Sequence, residues 1–321
     1  MNRVPGFSHV AVLLCLAVGL ASCAPVQQPF GTPYRAPAIT NDTLITADAA
    51  RLPLRQWEAE NPAALIIGVH GFNDYSRAFE LAGPWFAARN ISFYAYDQRG
   101  FGLAPGRGRW AGHAALMSDL ATFVGLMKTR YPHVPIYVVG ASMGGAVTLA
   151  AATQELAVDG LILAAPAVWG WSSMNFFLKA PLWLGAHTTP AWTLTGEGLE
   201  RWPSDNIEML RALSQDPNMI RETRIDAIYG LVSLMDKAYL SVPEIEKPVL
   251  LLYGEKDEIV PAAPIAEIAK RFRSPLTFKT YPDGWHMLLR DKQRETVWRD
   301  MKTWIDDRQR DMAPLALSDG G

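Results

Sequence analysis

Pro135-Ile136-Tyr137-Val138-Val139-Gly140-Ala141-Ser142-Met143-Gly144-Gly145-Ala146-Val147-Thr148-Leu149-Ala150-Ala151 opens β-branched and aromatic, turns through a serine set among small residues, and closes on small helix formers. The first part predicts a strand over residues 135–139 and the last a helix over residues 144–154. Gly-x-Ser-x-Gly between a strand and a helix marks a sharp turn. Small neighbours let the backbone bend tightly enough to lift a serine hydroxyl clear of a sheet edge. A turn needed only for packing would account for the glycines and not for the serine between them. Ser142 is therefore the candidate nucleophile.

Outward from this turn the chain alternates strand and helix. Residues 64–69 are a continuous apolar run of the kind that a strand covered on both faces requires, and residues 91–96, 161–164, 249–253 and 276–281 read as further strands. Between them, residues 78–88, 117–129 and 262–272 carry helical spacing, and a last amphipathic segment covers residues 290–307. Residues 43–57 read as an opening hairpin. The pattern predicts an α/β fold, a mostly parallel sheet with helices on both faces. It is interrupted over residues 166–247, which are irregular, aromatic and then helical. That stretch reads as a cap inserted over the carboxyl edge of the sheet, where open α/β sheets bind ligands. The core is then residues 39–165 and 248–310.

A serine hydroxyl needs a base to take its proton and a carboxylate to orient that base, and after an elbow of this kind they follow in the order Ser, Asp or Glu, His. Of the six histidines, His286 alone lies after the last long strand signal, on the turn Pro282-Asp283-Gly284-Trp285. It is the candidate general base. The loop after residues 249–253 offers Glu255, Asp257 and Glu258. Asp257 fits best, because a glycine turn precedes it and aims it back over the strand end; Asp283 is the local alternative, though a carboxylate there more often forms a turn. For the oxyanion, Met143 after the nucleophile supplies one backbone N–H. The loop His70-Gly71-Phe72 supplies the other from Phe72. His70, beside a glycine turn, reads as a residue holding its loop by hydrogen bonds rather than as a base.

Composition narrows the classes. The chain has 321 residues, 49% of them hydrophobic and 19% charged, which excludes disorder, and its net charge of −2 supplies no basic field for nucleic acid. Two cysteines exclude a disulfide scaffold. No metal motif, phosphate loop or complete Gly-x-Gly-x-x-Gly occurs, so neither a metal nor a cofactor is implied. No sequence feature speaks to oligomeric state.

Residues 1–22 read as an export leader: Arg3 precedes an apolar run over residues 10–20, too short to span a bilayer. The run ends in Leu20-Ala21-Ser22-Cys23, which resembles a bacterial lipobox and implies acylation at Cys23. An ordinary secretory leader cut after Ala21 or Ala24 is the alternative. Residues 23–38, with Pro25, Pro29, Pro33 and Pro37, read as an extended tether, and residues 311–321 as a frayed tail. The expectation is a cell-envelope protein anchored to a membrane through its N-terminus.

Taken together, His70-Gly71, Tyr96-Asp97-Gln98-Arg99-Gly100-Phe101-Gly102, the Ser142 turn, the Asp257 loop and Trp285-His286 resemble the α/β-hydrolase fold. The likeness is to its monoacylglycerol lipase and lysophospholipase branch, sometimes grouped with serine aminopeptidase-like hydrolases. It implies a serine carboxylic ester hydrolase acting on lipid-like esters through an acyl-enzyme, with the 97–100 loop bracing the elbow from beneath. An acyltransferase or amide hydrolase with the same triad, or a silent lipid-binding lipoprotein, are the alternatives. Ala141 and Asn73-Asp74-Tyr75 depart from that branch's usual residues. In the insert, Trp169, Phe176, Phe177 and Trp183 are candidate substrate-binding residues, in an acyl-chain tunnel or a surface touching lipid; the same aromatics would also serve as the cap's own core.

Overall fold

The computed structural model describes residues 25–196, 198 and 200–312. The leader, Cys23 and the tail from residue 313 lie outside them. Strands β1 (Ala38–Ile39), β2 (Thr43–Ile45) and β3 (Arg51–Trp57) form an antiparallel edge. β3 lies antiparallel against β5 (Ile91–Tyr96), and β5 parallel against β4 (Ala64–Val69). β6 (Ile136–Ala141) and β7 (Gly160–Ala164) continue the parallel sheet. Two short strands of the insert, β8 (Thr193–Thr195) and β9 (Glu222–Arg224), pair only with each other. β10 (Val249–Gly254) and β11 (Leu276–Tyr281) complete a nine-stranded sheet in the order β1-β2-β3-β5-β4-β6-β7-β10-β11.

Alternation within each central strand explains why the sheet is apolar on both faces. Leu65, Ile67, Val138, Leu161, Leu163 and Leu251 point into one core, beside residues of α2 (His113–Arg130), α3 (Met143–Ala151), α6 (Ile225–Ser241) and α7 (Ala262–Arg271). Ile66, Tyr137, Val139, Ile162, Leu250 and Leu252 point into the other, beside α1 (Ala82–Ala87) and α8 (Arg294–Met312). Each such aliphatic side chain, fully buried, contributes about 1.5–3 kcal/mol before the entropy of ordering it. α4 (Phe176–Thr188), α5 (Ile207–Gln215) and α6 belong to the segment between β7 and β10. Among the described residues no helix is long and apolar enough to cross a membrane.

Residues 25–38 differ from the free tether that their prolines suggest. Gln27 bridges to Trp110, and the Gln28 amide donates to the Trp110 carbonyl at 2.8 Å. The Gln28 side chain donates to the carbonyls of Gly106 and Arg109. Prolines keep this stretch extended, but Gln28 finds backbone acceptors on the 106–110 loop with both its amide and its side chain, so the segment lies along the body. At the other end α8 runs to Met312, which takes residues 311 and 312 out of the expected tail.

The topology gathers loops at one edge. β5 lies on one side of β4 and β6 on the other, so the loops after β4 and β6 diverge from a switch point, where an open α/β sheet leaves a crevice. The loops after β10 and β11 reach the same edge from the far side of β7.

Candidate active site

Ser142 stands between β6 and α3 with φ 51° and ψ −118°, a backbone region that residues with a Cβ rarely occupy. Its own amide donates to the Ala164 carbonyl at 3.0 Å, tying the turn to β7. The hydroxyl oxygen lies 2.9 Å from His286 Nε2. His286 Nδ1 lies 2.8 Å from Asp257 Oδ2. Asp257 Oδ1 accepts the amides of Ile259 at 2.8 Å and Val260 at 2.9 Å. One carboxylate oxygen is thus held by the backbone and the other is left for the imidazole. The Asp257 side chain is wholly buried and that of His286 nearly so.

The competing carboxylates go elsewhere. Asp283 pairs with Lys256 at the surface, 2.6 Å away. Glu258 accepts the Trp202 amide of the insert at 2.7 Å.

The loop after β4 brings Phe72 beside this group; a Cβ on Gly71 would lie 3.4 Å from the Ser142 Cβ. Met143 is the first residue of α3, so its N–H has no acceptor within the helix. Neither the Phe72 nor the Met143 amide makes a hydrogen bond within the described residues. His70 is fully buried. Its Nε2 accepts the Gln98 amide at 2.9 Å, so Nδ1 carries the proton and donates to the Gly71 carbonyl at 2.8 Å. Burial lowers the His70 pKa, keeping the ring neutral in this holding role.

The 97–100 loop braces the site by a route other than the one the resemblance implies. Asp97 accepts the amides of Ser76 and Leu103, Gln98 holds His70, and Arg99 binds Asp48 and Asp119. Asp97 and Gln98 therefore support the segment after β4, while Arg99 ties the loop to the N-terminal hairpin and α2.

A cavity of about 480 Å³ opens on Ser142 and His286. Trp169 lines it as expected, together with Met174, Leu182, and Ile228, Leu231, Val232 and Met235 of α6. Phe176, Phe177 and Trp183 do not. They are exposed on α4, Phe177 at 83%, and are neither tunnel wall nor cap core. α4 buries only Ala186, leaving its aromatic side in solvent. The α6 residues were missed, although positions 228, 231, 232 and 235 share one helical face and that spacing was there to be read. Asp74 and Arg290 also line the cavity, paired with each other.

A family model, Hydrolase_4, described as serine aminopeptidase, S33, matches residues 60–293. The chain belongs to this family. As a member of Hydrolase_4 it is a serine hydrolase of the α/β-hydrolase fold. The monoacylglycerol lipase of Mycolicibacterium smegmatis is 26% identical over 255 residues, covering 76% of this chain and 89% of that protein. The monoglyceride lipase of Homo sapiens is 26% identical over 300 residues, covering 88% of this chain and 95% of that one. Among solved structures, a soluble variant of monoglyceride lipase from Saccharomyces cerevisiae in complex with a substrate analogue superposes with a TM-score of 0.71. Its identity is 21%, over 89% of this chain and 98% of that one, and at that identity the likeness is one of fold.

Proposed function

We propose that this serine hydrolase cleaves monoacylglycerol- or lysophospholipid-like esters through an acyl-enzyme on Ser142. The observation that carries the reading is the unbroken chain from Ser142 Oγ through His286 to Asp257 at the mouth of an apolar cavity. His286 Nε2 takes the serine proton as Oγ attacks the ester carbonyl, and Asp257 holds the ring in the tautomer that leaves Nε2 free to accept it. The amides of Phe72 and Met143 receive the oxyanion. His286 then returns the proton to the leaving alcohol, and water repeats the sequence on the acyl-enzyme. The apolar wall from Trp169, Leu182 and α6 suits an acyl chain.

Two further features support a lipid substrate. The exposed Phe176, Phe177 and Trp183 form an apolar face outside the cavity, which suits contact with a lipid surface. Leu20-Ala21-Ser22-Cys23 supports export and anchoring of the chain by acylation at Cys23, with residence in a bacterial cell envelope. Metabolic labelling with a tagged fatty acid tests this anchor; a Cys23→Ala variant that still incorporates label would refute it.

For the activity, the test is hydrolysis by residues 25–321 of monoolein, lysophosphatidylcholine, p-nitrophenyl butyrate and an aminoacyl p-nitroanilide. Turnover of the esters, lost in Ser142→Ala with folding unchanged, is expected. Turnover of the anilide alone would replace the ester reading with an amidase, and retained turnover in Ser142→Ala would remove the serine from the mechanism. Replacing Phe176, Phe177 and Trp183 with serine is expected to weaken sedimentation with phospholipid vesicles while leaving p-nitrophenyl butyrate hydrolysis within twofold. Unchanged sedimentation would reject the lipid-facing role of α4.

A further inference from the structure

Asn73, Asp74 and Tyr75 follow the oxyanion donor Phe72 directly, and each is fastened to a different part of the molecule. Asn73 sits in the left-handed region at φ 62°, with its side-chain amide donating to Thr223 Oγ1 in β9 at 2.7 Å. Its carbonyl accepts the Ile220 amide at 3.1 Å, one segment before β9. Asp74 pairs with Arg290, four residues beyond His286. Tyr75 donates its hydroxyl to Asp216 at 2.7 Å, an aspartate that Arg77 also binds. The insert holds the histidine loop as well: the Pro203 carbonyl accepts the Met287 amide at 2.8 Å, and Asn206 donates to the Arg290 carbonyl at 3.0 Å. Phe72 lies in the middle of these attachments and its own amide has no partner among the described residues.

We propose that Thr223 and Asn73 are positioning residues for the oxyanion hole: the cap strand β9, through the Thr223 hydroxyl, aims the Phe72 N–H at the reacting carbonyl. An amide that stabilises an oxyanion works only where the developing charge appears, and the core binds this loop through His70 before Phe72 and, beyond Asn73, through the Asp74–Arg290 pair. Asn73 itself, the residue next to Phe72, is fixed by the bond to Thr223 and by the Ile220 amide. The cap therefore completes the catalytic geometry in addition to walling the cavity. The inference rests on the serine hydrolase reading and on Phe72 as the oxyanion donor.

The test compares Thr223→Val, Asn73→Gly, the double variant and Thr223→Ser. Glycine keeps the left-handed backbone open while removing the side-chain bond. Valine removes the hydroxyl at constant shape. Three readouts are taken for each variant: kcat and KM on p-nitrophenyl butyrate, Tm, and the rate of covalent labelling of Ser142 by a fluorophosphonate. Thr223→Val and Asn73→Gly are each expected to lower kcat and labelling rate by about 10- to 100-fold with KM within twofold. The double variant should fall no further than either single one, because both remove the same bond. Thr223→Ser should recover kcat to within about threefold of the parent. Losses that multiply in the double variant, or a Thr223→Val protein with parental kcat and labelling rate and only a lower Tm, would overturn the proposal. A parent that labels at Ser142 without hydrolysing any ester would refute the ester reading instead, and the labelling rates alone would then decide the role of Thr223.

Discussion

At Ser142 the backbone stores strain that the chemistry requires. A non-glycine residue at φ 51° and ψ −118° costs about 1–3 kcal/mol, and the surroundings impose it. The Ala164 carbonyl takes the serine amide, and α3 begins one residue later. Replacing the serine by glycine should relieve the strain, whereas alanine keeps it. Ser142→Gly is expected to be more stable than Ser142→Ala by roughly 1 kcal/mol in urea unfolding, with both lacking ester turnover. Equal stabilities would mean that the turn is unstrained. Asp257 sets a second expectation. Its Oδ1 already accepts two amides, so an asparagine would keep its oxygen there and turn its NH₂ toward His286 Nδ1. The ring proton would then sit on Nε2, facing the serine hydroxyl it must deprotonate. Asp257→Asn should lower kcat by about 10³- to 10⁴-fold with little change in KM. A loss below tenfold would place the orienting carboxylate elsewhere. The order of serine, acid and histidine and the glycine turn before Asp257 made these three residues legible, because each stands at a strand end. What the sequence did not carry is the partner of Glu258, the Trp202 amide of the insert, a contact that only folding makes.

Among the elements, α3 and α2 respond oppositely to the same change. A Cβ on Gly144 would stand 1.9 Å from the Val69 carbonyl oxygen of β4, a backbone atom that cannot step aside. Gly144→Ala is expected to destabilise by more than about 3 kcal/mol or to prevent folding, since α3 packs against β4 at the elbow. A Cβ on Gly125, in the middle of α2, meets nothing within 4 Å. Gly125→Ala should stabilise by about 0.5–1 kcal/mol through helix propensity. Thermal unfolding of the two variants checks both signs; a Gly144→Ala protein with parental Tm would deny the close approach. The strands β4 and β5 follow the boundaries read from their sequence, because strands covered on both faces leave a largely hydrophobic signal. The insert resisted the same reading. α4 carries Phe176, Phe177 and Trp183 outward, so the rule that large apolar groups are buried pointed the wrong way there. The β8–β9 pair is three residues per strand, too short to alternate visibly.

For the molecule as a whole, one buried guanidinium joins parts of the chain that the sequence keeps far apart. Arg99, after β5, donates to Asp48 of the N-terminal hairpin and to Asp119 of α2, all through bonds of 2.7–2.9 Å. The Phe30 ring of the N-terminal segment lies 5.4 Å from the same guanidinium. The hydrogen bonds from Arg99 hold the Asp48 carboxyl well below the usual aspartate value of 3.8, against the opposing effect of burial. Asp119 moves the other way, up to about 6, because its burial outweighs Arg99. The two carboxylates therefore act oppositely on stability. Asp48, depressed in the folded state, contributes fully above pH 3.8 and loses that contribution as pH falls further. Asp119, raised in the folded state, contributes less as pH climbs from about 4 to about 6. Comparing the parent with Asp48→Asn reads chiefly the first, since Asp119 is present in both and the charge of Asp48 is the smallest of the causes acting on it. At pH 7 the variant is expected to be less stable by about 2 kcal/mol, less than the loss of a sole partner because Asp119 still pairs with Arg99. That gap should narrow by roughly 1 kcal/mol on going to pH 3, where the unfolded carboxyl is protonated and the folded one is not. Urea unfolding at pH 7, 5 and 3 measures it. A gap that stays constant over the whole range would mean that Asp48 is not held ionised by Arg99, and that the N-terminal hairpin is joined to the core by packing rather than by charge.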